Sequence, residues 1–212
     1  MQYNITNLNN YGFIGAKFLE SDLAPIKTEI NNIQNNFELY KSQKYNNSLV
    51  GNIKREYQLV ESQKHIEKLL IPLVGAYDKG VNYMEQFNVL TSNVPIVLDE
   101  CWVNFQKKYE FNPIHSHDGV LSFVIWINVP YDMKEELKLS PGAESNFNSA
   151  GLFSFQYTDT IGSIRTHNIP IDKSMENCVI LFPSKFNHCV YPFFSSDGYR
   201  ISVSGNFKLK TA

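Results

Sequence analysis

His115 and His117 stand two residues apart in HSHDG, just before a long apolar run, and His188 follows far downstream in LFPSKFNHCV. In an extended chain, residues i and i+2 face the same side, so both imidazoles can point at one spot. Three imidazoles drawn together hold a divalent metal. Arg200 opens RISVSGNF shortly after His188, and Ser202 shares its face if that segment is a strand. A guanidinium grips a carboxylate through two parallel hydrogen bonds, and a nearby hydroxyl adds a third. An arginine buried without an anion is costly, so Arg200 either points to water or has an acidic partner. Metal donors at one end and a carboxylate clamp at the other suit chemistry on a dicarboxylic acid.

A redox-active iron needs donors on one face of an octahedron and open positions opposite. Two histidines and one carboxylate supply this in many non-haem iron oxygenases. The usual sequence form is His-x-Asp or His-x-Glu, then a distant His. Here an imidazole, His117, stands where the carboxylate is expected. Asp118 is adjacent but needs a bend or bulge to turn inward. The third donor is therefore His117 or Asp118. The competing reading, three ordinary hydrogen-bonded histidines, is weakened by the paired spacing and by the downstream context. His65 and His167 lack such a context and read as surface or packing residues. Cys189, next to His188, faces the opposite way in a strand and cannot reach the same ion.

These residues need a scaffold, and the chain divides into a helical first part and a strand-rich second part. Asp22 is positioned to cap a helix whose apolar stripe is Leu23, Ile26, Ile30, Ile33 and Phe37. Ser62 is positioned to cap a second, with Ile66, Leu69, Leu70, Leu73, Val74 and Tyr77 near one face, and Pro72 should kink or divide it. The stretch Val50 to Tyr57 reads equally as an edge strand or a turn. From Val94 the texture changes. PIVLDECWVNFQ alternates as a strand, and VLSFVIWINVP is a continuous β-branched and aromatic run, buried on both faces. GLFSFQYTD, GSIRTHNIP, NCVILFP, HCVYPFF and YRISVSGNFKL follow at short intervals between Gly, Pro, Asn, Asp and Ser. Many short strands with regular turn signals indicate a barrel or a double-sheet jelly roll, with the helices covering one outer sheet. The fold class is α+β, mainly β with N-terminal helices. One domain is expected over 1–212, with 1–93 as helical support and 94–212 as the roll. Trp126, Phe123 and Phe182 line either the core or the pocket. The polar stretch from Tyr131 to Ala150 is long enough to be a lid or binding loop, or else a surface insertion.

Composition narrows the function classes. The 212 residues suffice for one core, and 43% hydrophobic with 14% aromatic residues marks a globular chain. A net charge of −2 without a basic block argues against a nucleic-acid groove. No apolar stretch reaches the ~18–20 residues of a membrane span. MQYNITNLNNYGF has no basic region followed by an apolar one, so it does not read as a secretory leader. Three cysteines, Cys101, Cys178 and Cys189, without close pairing suggest a reducing, cytoplasmic compartment.

Taken in order, HSHDGVLSFVIWINVP, LFPSKFNHCVYPF and YRISVSGNF resemble the motif blocks of the Fe(II)/2-oxoglutarate-dependent oxygenase superfamily. The closer likeness is to prolyl-4-hydroxylase-like proteins of marine bacteria and their phages, and CWVNFQ is similar to their Trp-x-Asn lead-in. The likeness covers about the last half of the chain. It implies a double-stranded β-helix, Fe(II) and 2-oxoglutarate as cofactor and cosubstrate, and ascorbate as an accessory reductant. His115 matches the first metal ligand, His188 the distal one, and His117 occupies the carboxylate position. Arg200 matches the clamp on the 2-oxoglutarate carboxylate, with Ser202 as its partner and Asn104 as a further contact.

The resemblance implies a hydroxylase whose substrate is a peptide, a protein or a small molecule; in a phage, the compartment would be the host cytoplasm. Two other readings stand beside it. One is a cupin-like metal dioxygenase that uses several imidazoles and no 2-oxoglutarate. The other is a jelly-roll binding or virion-associated module whose histidines are structural. No residue pattern sets an oligomeric state.

Overall fold

The computed structural model describes residues 10–87 and 94–210; most of the stretch read for a leader lies outside them. In chain order the main elements are β1 (Ile14–Lys17), α1 (Glu20–Asn35), β2 (Glu56–Gln58), α2 (Gln63–Val81), β3 (Ile96–Gln106), β4 (Asn112–His115), β5 (Leu121–Asn128), α3 (Met133–Leu139), β6 (Leu152–Thr158), β7 (Ile164–Pro170), β8 (Cys178–Pro183), β9 (Asn187–Val190) and β10 (Arg200–Leu209). The strands form two antiparallel sheets, one ordered β1-β8-β5-β10-β3-β2 and the other β4-β9-β6-β7.

Alternation along β5 explains the layering. Leu121, Phe123 and Ile125 face α1 and α2, joined by Cys101, Val103 and Phe105 of β3 and Val203 and Phe207 of β10. Val124 and Trp126 face the other way, onto Phe153 and Phe155 of the smaller sheet and Ile180 and Phe182 of β8. The run is buried on both faces, as its unbroken apolar composition requires. The helices contribute the expected stripes: Leu23, Ile26, Ile30 and Ile33 from α1, and Ile66, Leu70, Val74 and Tyr77 from α2. Each such burial is worth roughly 1.5–3 kcal/mol before entropy costs.

Several local expectations change. Asp22 lies inside the first turn of α1, where its carboxylate accepts the Leu19 N–H (3.1 Å); it supports the helix start from within. The Ser62 hydroxyl donates to the buried Glu29 carboxylate (2.5 Å), which also accepts the backbone N–H groups of Val60, Glu61 and Ser62. One carboxylate on α1 thus fixes the entry to α2. α2 runs through Pro72 undivided, because its tertiary packing outweighs one lost backbone bond. Glu56–Gln58 is an edge strand, so the first 93 residues supply β1 and β2 to the larger sheet as well as helices. β1 and β4 are too short to show a period. Between Tyr131 and Ala150 the chain forms α3 and turns. Glu136 is fully buried there and accepts N–H bonds from Phe194 (2.7 Å) and Ser195 (2.9 Å), which tie this stretch to the segment before β10. No helix among the described residues is long and apolar enough to cross a membrane. All three cysteines are free thiols.

Candidate metal centre

β4 and β9 are neighbours in the smaller sheet, and their register sets His115 directly opposite His188. The chain reaches β9 from β8 of the larger sheet through the turn that follows Pro183, so His188 comes from the smaller sheet, the same one as His115. His117 lies beyond the end of β4, and strand alternation does not aim it. Its backbone N–H donates to the Ser184 carbonyl (2.8 Å), which pins the segment after β4 to the turn before His188. Gly119 follows at φ 101°, and a Cβ there would stand 2.7 Å from the Phe207 carbonyl oxygen, so the tight return into β5 needs glycine.

The three imidazoles converge. One ring nitrogen from each of His115, His117 and His188 lies within 4.8 Å of the others, and His117 Nε2 is 3.2 Å from His188 Nε2. Two rings are oriented by main chain: His115 Nδ1–H donates to the Pro113 carbonyl (2.7 Å) and His188 Nδ1–H to the Phe186 carbonyl (2.9 Å). That choice of tautomer leaves Nε2 of both as a lone pair, the arrangement typical of metal-binding histidine. Burial pushes His188 down to about 3 and His117 down to about 4, and it also lowers His115; neighbouring imidazoles add to the first two shifts. All three are therefore neutral at physiological pH and ready to ligate. Phe153 lies nearly parallel to the His188 ring (5.5 Å, 19°), Phe182 meets it edge-on, and Trp102 packs on His117, so the back of the centre is dry. Asp118 points to water and pairs with Lys185 (3.1 Å), so His117 and not Asp118 faces the other two.

The same cleft is lined by Asn104, Gln106, Arg200, Ser202 and Ser204 on its far wall and by Trp126 and Phe182 on its apolar side, and Phe123, whose ring lies against Gly205, also borders it. The β10–β3 register places Arg200 opposite Gln106 and Ser202 opposite Asn104. Arg200 is only 2% exposed. Its Nε and Nη2 donate to Gln106 Oε1 (3.1 and 2.7 Å), Nη2 also donates to the Tyr191 carbonyl (2.8 Å), and Nη1 donates to the Tyr131 hydroxyl (2.9 Å). Every acceptor is neutral, and Arg200 enters no ion pair among the described residues. Four bonds from five N–H donors leave one on Nη1, and Tyr131 keeps its own proton to donate. A buried cation held only by neutral groups is suited to receiving an anion. Asn104 Nδ2 donates to Ser202 Oγ (3.2 Å) and Ser204 Oγ (3.3 Å), while its Oδ1 is buried without a partner. A half-turn of that amide presents N–H groups to the cleft instead.

All six residues singled out by the sequence, Asn104, His115, His117, His188, Arg200 and Ser202, thus line one cleft. Gln106, which also lines the cleft, and Tyr131, which bonds to Arg200, carry no signal in the sequence, because their bonds to Arg200 span 94 and 69 residues and leave no local pattern.

Residues 100–206 match the model of a family described as "Putative 2OG-Fe(II) oxygenase". The chain belongs to the 2OG-Fe(II) oxygenase family. It is accordingly an enzyme that uses Fe(II) and 2-oxoglutarate, and the residues just described fit both: three nitrogen donors for the metal, and an anion-free guanidinium for the acid. Solved structures share the fold of this oxygenase. A prolyl-4-hydroxylase from Pseudomonas putida aligns with TM-score 0.57 and 15% identity over 95% of this chain and 94% of its own. A viral collagen prolyl hydroxylase from Paramecium bursaria Chlorella virus-1, solved with 2OG, gives 0.50 and 11% over 95% and 97%. A prolyl hydroxylase from Trichoplax adhaerens, in complex with a hypoxia-inducible-factor peptide, gives 0.50 and 15% over 92% and 82%. No curated protein matches by sequence.

Proposed function

We propose that this oxygenase is a hydroxylase acting on a proline-containing peptide or protein. In this reading His115, His117 and His188 hold Fe(II), and Arg200, assisted by Ser202 and Asn104, holds the far carboxylate of 2-oxoglutarate. The observation that carries it is the shared cleft: three neutral imidazoles at one end and a buried, anion-free guanidinium at the other. Bound together, the iron and 2-oxoglutarate would activate O2, the oxidant: one oxygen atom would enter the substrate C–H bond and the other would end in succinate as 2-oxoglutarate loses carbon dioxide. The protein orients, through the Pro113 and Phe186 carbonyls that fix the two ring tautomers. It excludes water with Phe153, Phe182 and Trp102, and Tyr131 and Gln106 hold the Arg200 fork in place.

Facing sheets with helices on one outer side support the double-stranded β-helix, or jelly-roll, reading of the fold. A single domain over 1–212 is supported by α1 and α2 packing on the sheet that carries Arg200. The peptide substrate is supported by the prolyl hydroxylases among the structural neighbours, one of them solved with a peptide. The marine-bacterial and phage likeness rests on the HSHD, FPSKFNH and RISVS segments. Three free thiols support a reducing cytoplasm. The test is succinate formation from 2-oxoglutarate by Fe(II)-loaded protein, with mass gain by one oxygen on a proline-rich peptide. Equal succinate yields from wild type and Arg200→Ala would remove the clamp; succinate without peptide oxidation would remove the substrate class alone.

A further inference from the structure

We infer that the centre is an all-nitrogen metal site and that His117 tunes its choice among divalent ions. The inference rests on the proposed assignment of the three histidines as ligands. Three observations support it. First, no carboxylate lines the cleft among the described residues, and Arg200 is its one charged side chain. Second, the nearest carboxylate in sequence, Asp118, is committed to Lys185 at the surface. Third, His117 Nε2 and His188 Nε2 approach to 3.2 Å. Because His188 donates through Nδ1, its Nε2 is a bare lone pair, and only a proton or a cation can sit favourably between the two atoms. Neighbouring nitrogen donors at right angles about a metal, each about 2.0–2.1 Å from it, lie about 3 Å apart. The observed spacing therefore suits two adjacent corners of one coordination sphere.

Replacing an anionic oxygen donor by a neutral imidazole has a defined chemical consequence. Carboxylate oxygen suits harder ions such as Mn(II), whereas imidazole suits Zn(II), Ni(II) and Cu(II). The all-imidazole set thus strengthens the normal preference for the later ions over Mn(II) and Fe(II). The site takes Fe(II) against a steeper gradient of competing metals than a site with one carboxylate does. His117→Asp, which restores the oxygen donor, lessens that gradient.

The experiment uses full-length protein made without a histidine tag and stripped of metal. Competition titrations give the Zn(II)-to-Mn(II) affinity ratio, with Mn(II) as a redox-stable stand-in for Fe(II). We expect His117→Asp to lower that ratio by tenfold or more, and Asp118→Asn to leave it unchanged. Electron paramagnetic resonance of the Cu(II)-loaded wild type, which needs no variant to fold, should show coupling to three nitrogens. An unchanged ratio in a folded His117→Asp protein, or fewer than three coupled nitrogens, overturns the inference. Neither measurement depends on turnover. Three nitrogens without succinate formation would sink the proposed turnover alone, whereas succinate formation with two nitrogens would sink this inference together with the three-histidine ligand set and leave the oxygenase activity standing.

Discussion

The histidine end and the arginine end of the cleft are built differently. At the histidine end, two rings are fixed by backbone carbonyls two residues back, and the third is placed by its own backbone N–H on the Ser184 carbonyl. At the arginine end, the guanidinium depends largely on side chains from distant segments: Gln106 of β3, Tyr131 after β5 and Phe193, whose ring lies 5.5 Å from the guanidinium carbon. Main-chain support keeps its donors and acceptors under side-chain substitution, provided the turn survives. Side-chain support is lost with each residue. Metal binding should therefore tolerate changes around the histidines, while acid binding should be sensitive to changes around Arg200.

The largest expected effect is removal of a ligand itself. His188→Ala leaves two imidazoles, and metal affinity should fall by more than about 100-fold, beyond the 10–100-fold cost of losing a mere orienting partner. Titration of metal-free protein measures this, with Asp118→Ala as the control that retains affinity. A His188→Ala protein that binds metal normally would remove the metal from this end of the cleft.

Arg200→Ala comes next. Truncating one member of a buried charge pair costs about 2–5 kcal/mol, so 2-oxoglutarate affinity should drop on the order of 100-fold or more. Arg200→Lys should recover little, since an ammonium lacks the planar fork that meets Gln106, Tyr131 and a carboxylate together. Anaerobic binding of 2-oxoglutarate to the Fe(II) protein, followed by its visible charge-transfer absorption, is the readout. Full recovery by lysine would mean that charge alone, and not the side-chain frame, matters here.

The same contrast explains what the sequence discloses. His115, His117 and His188 are legible because their context is local: a two-residue spacing, a following apolar run, and a proline-marked turn. β5 is legible because burial on both faces leaves an unbroken apolar run. Gln106 and Tyr131 are hidden because a β3–β10 register and a loop return decide their role. Strand alternation brings His117 to the right face for the wrong reason: it lies past β4 and is placed by a long-range backbone bond. Likewise Asp22 and Ser62 look like caps from their positions at helix starts, whereas the Ser62 hydroxyl belongs to Glu29, thirty-three residues away. Local periodicity reports which face is buried; it does not report what waits on that face.

Glu56 extends the comparison to the rim of the polar wall. It pairs in register with Asn104, is 2% exposed, and has one carboxyl oxygen without a partner. Burial, reinforced by the negative charge of Glu110, pushes its carboxyl up to about 8. The folded state therefore keeps this proton up to about pH 8, while the unfolded chain loses it above about 4.5. Stability from this group is full below the unfolded value and falls as pH rises through that window. Glu56→Gln should remove the fall and stabilise the protein at pH 8 by a few kcal/mol, at about 1.4 kcal/mol for each tenfold difference in proton affinity between the folded and unfolded chain. Denaturant unfolding at pH 5 and pH 8 compares the two; equal slopes against pH would refute a buried neutral acid.

Ser184→Ala is the smallest change and the sharpest probe of the main-chain claim. Ser184 is fully buried, its carbonyl holds His117 and its N–H donates to Val120 (3.1 Å). Its hydroxyl shares a hydrogen bond with Ser122 (2.9 Å), and because the Ser122 proton goes to Asn206 (2.7 Å), Ser184 is the donor. Alanine keeps both backbone bonds and removes only that hydroxyl, leaving the Ser122 oxygen short of one donor. A cost of about 1–3 kcal/mol in global stability follows. Metal affinity should change by less than about tenfold, below the usual range for a lost orienting side chain. Thermal unfolding and metal titration of the same preparation separate the two quantities. If metal affinity instead collapsed as in His188→Ala while the protein stayed folded, the histidine end would depend on side chains after all, and the two ends of the cleft would be built alike.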